Sequence, residues 1–286
     1  MANLKEIRNR IASIGSTMKI TSAMKMVSAA KLKKASDAIV QMRPYSNKLT
    51  ELLQNLSATL DSDDGGVYTK QKEINKVLIV AITSNRGLCG GFNSAIIKQV
   101  VSLAETKYAG KEISVLTIGK KGNDILGKEF NIFKFESALY DDLSFKNAAP
   151  IAVELMDEFA KGSFDQINLV YNRFKNAATQ ILTDEQFLPI VPAAEGNDSN
   201  TDYIFEPNKA EIVEGLIPKA LKIQLYKAIR DSYAAEHGAR MTAMHKATDN
   251  ATELRDDLLL AYNKARQAAI TNEILEIVGG AEALKS

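Results

Sequence analysis

One cysteine, Cys89, in 286 residues excludes an internal disulfide framework and any multi-cysteine metal site. Histidine is nearly as scarce. His237 and His245 lie far apart for a pair of ligands on adjacent helical turns, so zinc or histidine catalysis has little to work with. Nowhere does an apolar run approach the ~18 residues that cross a bilayer. The longest clean run, Val77 to Ile82, has strand length. The opening MANLKEIRNRIASI has no apolar core of the signal-peptide kind and reads as the start of an amphipathic helix. Helix breakers are missing from both ends of the chain. Residues 1–43 hold no proline and only Gly15, and residues 219–278 hold no proline and only Gly238.

What is present is an ordinary globular balance, 45% hydrophobic and 25% charged, which excludes chain-wide disorder. The net charge of +1 conceals an uneven distribution. Residues 1–60 carry ten Lys/Arg against three Asp/Glu, residues 61–207 carry 15 against 21, and residues 208–286 carry 11 of each. A basic first segment points to an acidic partner: nucleic acid, an acidic protein loop or lipid headgroups. Nucleic acid lacks the interleaved aromatics that stack bases, since Tyr45 is the first aromatic in the chain.

The N-terminal segment repeats at alternating spacings of four and three, through Ile7, Ile11, Ile14, Met18, Thr21, Lys25, Ser28, Leu32, Ala35, Ile39 and Met42. That is a coiled-coil seam. It turns polar at Thr21, Lys25 and Ser28, where a second apolar stripe of Ile20, Met24 and Val27 begins. A helix apolar on more than one side is covered by more than one neighbour. Arg43-Pro44 marks a bend or end. The C-terminal segment offers a partner seam through Ala247, Ala251, Leu254, Leu258, Ala261, Ala265, Ala268, Asn272 and Leu275, with Pro218 suited to its first turn.

Between the two, strand and helix signals alternate. Strands are expected at 77–82, 113–118, 131–135, 167–171 and 180–188, and helices at 94–108, 121–126 and 148–161. Such alternation predicts a mainly parallel sheet with helices packed on it. The expected fold class is α/β: a Rossmann-like domain over 70–207 inserted between two long terminal helices, 1–60 and 208–286, that form an antiparallel coiled coil.

Few residues offer chemistry. Asn85 to Asn93, with Gly87, Gly90 and Gly91, follows the first strand and precedes a helix, where α/β folds cradle phosphate. Its spacing fits neither G-x-G-x-x-G nor the P-loop, and no lysine follows to reach a terminal phosphate. A tight strand-to-helix turn needing positive φ accounts for it as well. Cys89 in that loop has no histidine near in sequence to act as its base. Asp141-Asp142 and Asp256-Asp257 read as solvated faces, since neighbours on a helix diverge by about 100°.

The densest signal is Ile270-Thr271-Asn272-Glu273-Ile274-Leu275-Glu276-Ile277-Val278-Gly279-Gly280-Ala281. It resembles the C-terminal signature of the gamma subunits of F-type ATP synthases. Met18 to Val27 resembles that family's N-terminal block, and Arg86-Gly87-Leu88-Cys89-Gly90-Gly91 its central loop. Ala239 to Met244, Ala247 to Ala251 and Tyr262 to Gln267 match its C-terminal helix in order. The blocks span both ends and the middle of the chain. Two positions depart from the common pattern: Ser22 stands where many relatives carry lysine, and Asn85 where many carry aspartate.

The resemblance implies a non-catalytic rotor shaft. Its coiled coil would stand inside a ring of three α and three β subunits. Its globular domain would sit on the c-ring and bind epsilon, with one copy per complex. Proton-driven rotation would be coupled to ATP synthesis or hydrolysis. No cofactor would be bound by this chain, ATP, ADP and Mg being held by α and β, and no nucleic acid would be involved. Contacts with acidic β levers would fall on Met24, Lys25, Arg266, Gln267, Thr271 and Glu273. Tyr203, Ile204, Phe205 and Glu206 would face the c-ring. The implied location is the cytoplasmic side of a bacterial inner membrane, as a peripheral subunit. The alternatives from the residues alone are a stand-alone nucleotide-binding α/β protein using the glycine loop, and a coiled-coil scaffold for membranes or acidic partners.

Overall fold

The computed structural model describes the backbone of residues 4–58, 67–69, 71–191 and 209–283. Five strands and five α-helices appear in the order α1 (Leu4–Ala58), β1 (Lys76–Ile82), α2 (Phe92–Glu105), β2 (Glu112–Ile118), α3 (Lys120–Leu126), β3 (Asn131–Glu136), α4 (Phe145–Ala160), β4 (Gln166–Phe174), β5 (Gln180–Leu188) and α5 (Lys209–Ala283). By compactness the chain falls into two units. One joins Met1–Ser28 to Met241–Ser286, and the other is Ala29–Arg240, so α1 and α5 each contribute to both.

The larger unit is built on one sheet of order β3-β2-β1-β4-β5. The first four strands are parallel and β5 returns antiparallel on β4. β1 takes the centre because six of its seven residues are apolar and fully buried, as a parallel strand covered on both faces requires. Strand alternation sends Leu78, Val80 and Ile82 to one face with α4 and the N-terminal part of α5. Val77, Ile79 and Ala81 go to the other face with α2. The β4–β5 connection is an Asx turn, in which the Asn176 side chain accepts from the amides of Ala178 and Thr179. At Gly119, φ is +105° and a Cβ would lie 2.3 Å from the Thr83 carbonyl oxygen, so only glycine lets β2 turn into α3 there. The expected strand–helix order and the mainly parallel sheet are as found.

Proline behaves differently from expectation at two places. α1 does not end or visibly break at Arg43-Pro44, and α5 starts at Lys209 with Pro218 inside it. In both helices buried residues lie within about a turn of the proline on either side. Ile39, Ser46 and Leu49 bracket Pro44, and Ile217, Ala220 and Leu221 bracket Pro218. Tertiary packing outweighs the local penalty of a missing amide.

In the smaller unit, α1 and α5 run antiparallel. Arg8 Nη2 donates to the Tyr262 hydroxyl at 2.8 Å, and Thr21 and Thr248 share a hydrogen bond of 2.8 Å. Between these rungs the Met18 sulfur accepts from Thr252 Oγ1 at 3.3 Å. The α1 seam is as expected: its positions from Ile7 to Ser28, and from Leu32 to Met42 within the larger unit, are all buried or half-buried. The α5 seam is corrected. Ala251, Leu258 and Ala265 belong to it, but the alternate positions are Thr248, Arg255 and Tyr262, while Leu254 is 50% exposed. Within the polar stretch of the α1 seam, Thr21 has a polar partner on α5, which also helps fix the register of the pair.

Candidate functional site

Most of the residues singled out from the sequence fall in two places, each built by a different part of the fold. The first is the glycine loop between β1 and α2. Leu88 and Gly90 take positive φ values of 61° and 60°. The left-handed turn is therefore real, and at Leu88 it falls on a side chain 64% exposed to solvent. The loop's polar groups are already engaged. Asn93 Oδ1 accepts from the Ser84 amide at 3.0 Å, and Asn93 Nδ2 donates to Ser84 Oγ at 2.8 Å. Asn85 Nδ2 donates to the Ser137 carbonyl at 2.9 Å while its Oδ1 accepts from the Lys120 amide at 3.0 Å. An aspartate here could not make the first of these bonds.

From the other side α5 closes the loop. Arg240 Nη2 donates to the Arg86 carbonyl at 3.0 Å and to the Gly87 carbonyl at 3.3 Å. Glu236 holds Arg240 in place through an ion pair of 2.7 Å, with both side chains only 8% exposed. Burial raises the Glu236 carboxyl, and the neighbouring Arg240 pulls it back down. Burial and then the same guanidinium push His237 down to about 3, so this imidazole is neutral at pH 7. Cys89 is buried, with its thiol pushed up chiefly by burial. A thiol that stays raised by burial even though Arg240 nearby pulls the other way is a packing residue, not a nucleophile. The loop is thus a filled turn clamped by α5 rather than an open phosphate cradle. Sequence spacing did not reveal the clamp. The signal that could have pointed to it is the helical i,i+4 spacing of Glu236 and Arg240, which suits a preorganised pair.

The second place is the coiled coil of the smaller unit. Met24 and Lys25 are half-buried on α1, whereas Arg266, Gln267, Thr271 and Glu273 are exposed on α5. The structure does not bring the six together. Thr248 lies across from Thr21, and Arg266 begins about 27 Å further along the helix axis at 1.5 Å per residue. They form two levels on one rod. Tyr203, Ile204, Phe205 and Glu206 lie outside the described residues. Beyond Ala265 every described α5 side chain is exposed, and Ile270, Ile274, Leu275, Ile277 and Val278 among them are large and apolar. On α1, Ile20, Met26 and Val27 are likewise exposed. Among the described residues no group of His, Cys, Asp or Glu could hold a metal ion, and no helix is long and apolar enough to cross a membrane.

A family model described as ATP synthase matches residues 3–284. The ATP synthase gamma chain of Flavobacterium psychrophilum is 69% identical over 286 residues, covering all of both chains. The chain belongs to the ATP synthase gamma-chain family. The gamma chain of Flavobacterium johnsoniae is 67% identical over 285 residues, with 99% of each chain covered. Among solved structures, a chain of the Tetrahymena thermophila mitochondrial ATP synthase central stalk and c-ring is 25% identical, with a TM-score of 0.60 over 80% of this chain and 99% of that one. A chain of the Euglena gracilis mitochondrial ATP synthase rotor shares the fold, with a TM-score of 0.66 over 93% of this chain and 98% of that one, at 21% identity. As a gamma chain it is a non-catalytic subunit of the synthase, which agrees with a glycine loop filled by its own side chains.

Proposed function

We infer that this chain is the central rotor shaft of an ATP synthase, coupling rotation of a c-ring to the conformations of catalytic subunits around its coiled coil. The observation that carries the reading is the uncovered apolar end of α5 on an antiparallel two-helix rod. Exposed apolar surface of this extent marks an interaction site. In this position it suits a rod end enclosed by a collar. The rod's flanks differ: α1 exposes Ile20, Met26 and Val27 beside basic residues, while α5 exposes Leu254, Leu259 and Leu260. Identical levers meeting such a rod from three directions make different contacts with it. Differential contact is what shifts a conformational equilibrium. No covalent step is required of this chain.

The finer organisation is proposed on the same basis. The terminal helices, 1–60 and 208–286, form the shaft, and the domain over 70–207 forms its foot. The collar is three α and three β subunits, which hold the Mg-nucleotides, around one copy of this chain. Epsilon and the c-ring bind the foot, with Tyr203 to Glu206 on the c-ring side. The β levers touch two levels of the rod, Met24 and Lys25 at one and Arg266, Gln267, Thr271 and Glu273 at the other. The complex sits on a bacterial inner membrane with this chain on the cytoplasmic face.

Native mass spectrometry of the chain mixed with its cognate α and β subunits tests this, with ATPase activity measured on the same sample. The expected species contains three α, three β and one copy of this chain, and hydrolyses Mg-ATP. Well-folded components that form no such complex would overturn the reading.

A further inference from the structure

Pro44 lies inside α1 and has no amide hydrogen, so the Val40 carbonyl loses its usual helical donor. A proline in this position ordinarily kinks or ends a helix. Here the residue before it is tied down. Arg43 Nη2 donates to the Phe174 carbonyl at the end of β4 at 2.8 Å, and to Asp231 Oδ1 on α5 at 3.1 Å. Asp231 is fully buried, and its second oxygen has no hydrogen-bond partner. A carboxylate in that state is costly unless a nearby charge compensates it, and Arg43 is the group in contact. The same guanidinium therefore pairs with a buried acid, caps a strand end and stands beside the gap in the α1 ladder.

We propose that Val40–Pro44 is a joint in α1, held closed by the Arg43 side chain pinned to Asp231 and the Phe174 carbonyl. Without the pin, the helix gives at Pro44, where its own hydrogen-bond ladder is interrupted. With the pin, the ladder's gap is bridged through β4 and α5 instead. On the rotor reading, such a joint is where twist would gather along α1, but the joint itself does not depend on that reading. It is a property of the chain alone.

Hydrogen exchange on the full chain decides it. Arg43→Met with Asp231→Leu removes the pin while leaving no unpaired charge in the core. The expected result is exchange about tenfold faster at the amides of Tyr45 to Leu49, with the β1 amides unchanged. Adding Pro44→Ala restores the missing ladder bond and should return those amides to the wild-type rate. Unchanged exchange at Tyr45 to Leu49 in the double variant would overturn the proposal. So would equal acceleration in β1, which reports general loosening, or acceleration that persists in the triple variant, which places the weak point elsewhere. None of these outcomes bears on whether the chain assembles with α and β subunits.

Discussion

The two compact units bury their apolar residues to very different degrees. In the larger one, β1 from Val77 to Ile82 is wholly buried and both sheet faces are covered by helices of the same chain. In the smaller one, α1 and α5 meet along a seam with polar rungs at Thr21–Thr248 and Arg8–Tyr262, and every described α5 side chain beyond Ala265 is exposed. The first unit carries its own hydrophobic core. The second exposes large apolar side chains that the described residues leave uncovered, which on the rotor reading is the surface a collar would meet.

The sharpest way to break the comparison is to make the same cut in both units. Ile79 has no exposed surface and packs among Cys89, Phe92, Ile96 and other residues of the α2 face. Ile79→Ala should destabilise the isolated chain by about 3–4 kcal/mol, the transfer loss plus the cavity left in a core that cannot collapse fully. Urea unfolding followed by circular dichroism reads this directly. A loss below about 1 kcal/mol would mean that the sheet core is far more plastic than its burial suggests.

A smaller effect concerns the buried cluster behind the glycine loop. His237 is held down to about 3 by burial and by Arg240, with Lys31 adding to the effect. A depressed histidine means that the unfolded chain binds a proton before the folded chain does. The stability difference is absent above the unfolded value near 6.5 and grows as pH falls toward 3. Between pH 7 and pH 5 it should cost the folded state about 2 kcal/mol. Glu236 opposes this, because its raised carboxyl takes up a proton more readily when folded. The comparison that isolates the histidine is therefore wild type against His237→Gln, with urea midpoints measured from pH 7 to pH 5. The variant should lose less stability on acidification, and parallel curves would show that His237 is not held neutral.

Much of this fold was legible in the sequence because the relevant physics is local. Six apolar residues in a row at Val77–Ile82 make a covered strand in almost any context, and the 4–3 spacing from Ile7 to Met42 specifies a seam before any partner is known. Legibility failed where distant parts of the chain decide. Pro44 and Pro218 obey a local rule that buried neighbours override. On α5, Leu254 and Ala261 compete with Arg255 and Tyr262 for the seam, and composition favours the wrong pair. The choice is made by what α1 presents, a methionine sulfur and an arginine. Arg240 reaches back to Arg86 and Gly87, a pairing that no spacing encodes. The proposed lever contacts rest on a likeness of motifs, and the residues named for them lie at two levels of the rod.

The smallest expected effect in the isolated chain is the most informative about function. Ile277 lies on the uncovered end of α5 with 69% of its surface exposed. Ile277→Ala should change the stability of the chain alone by less than about 0.5 kcal/mol, because among the described residues nothing covers it. The same substitution in the assembled complex should be felt if that end is enclosed by a collar, as faster loss of this subunit on dilution or as ATP hydrolysis less tightly coupled to rotation. The contrast with Ile79→Ala is the point, since side chain and truncation are identical and only the source of the covering surface differs. A stability loss in the isolated chain comparable to that at Ile79 would mean that the end of α5 is covered by the chain itself. Silence in both the chain and the complex would mean that the apolar tip is bystander surface and that torque passes through the lower level at Met24 and Lys25.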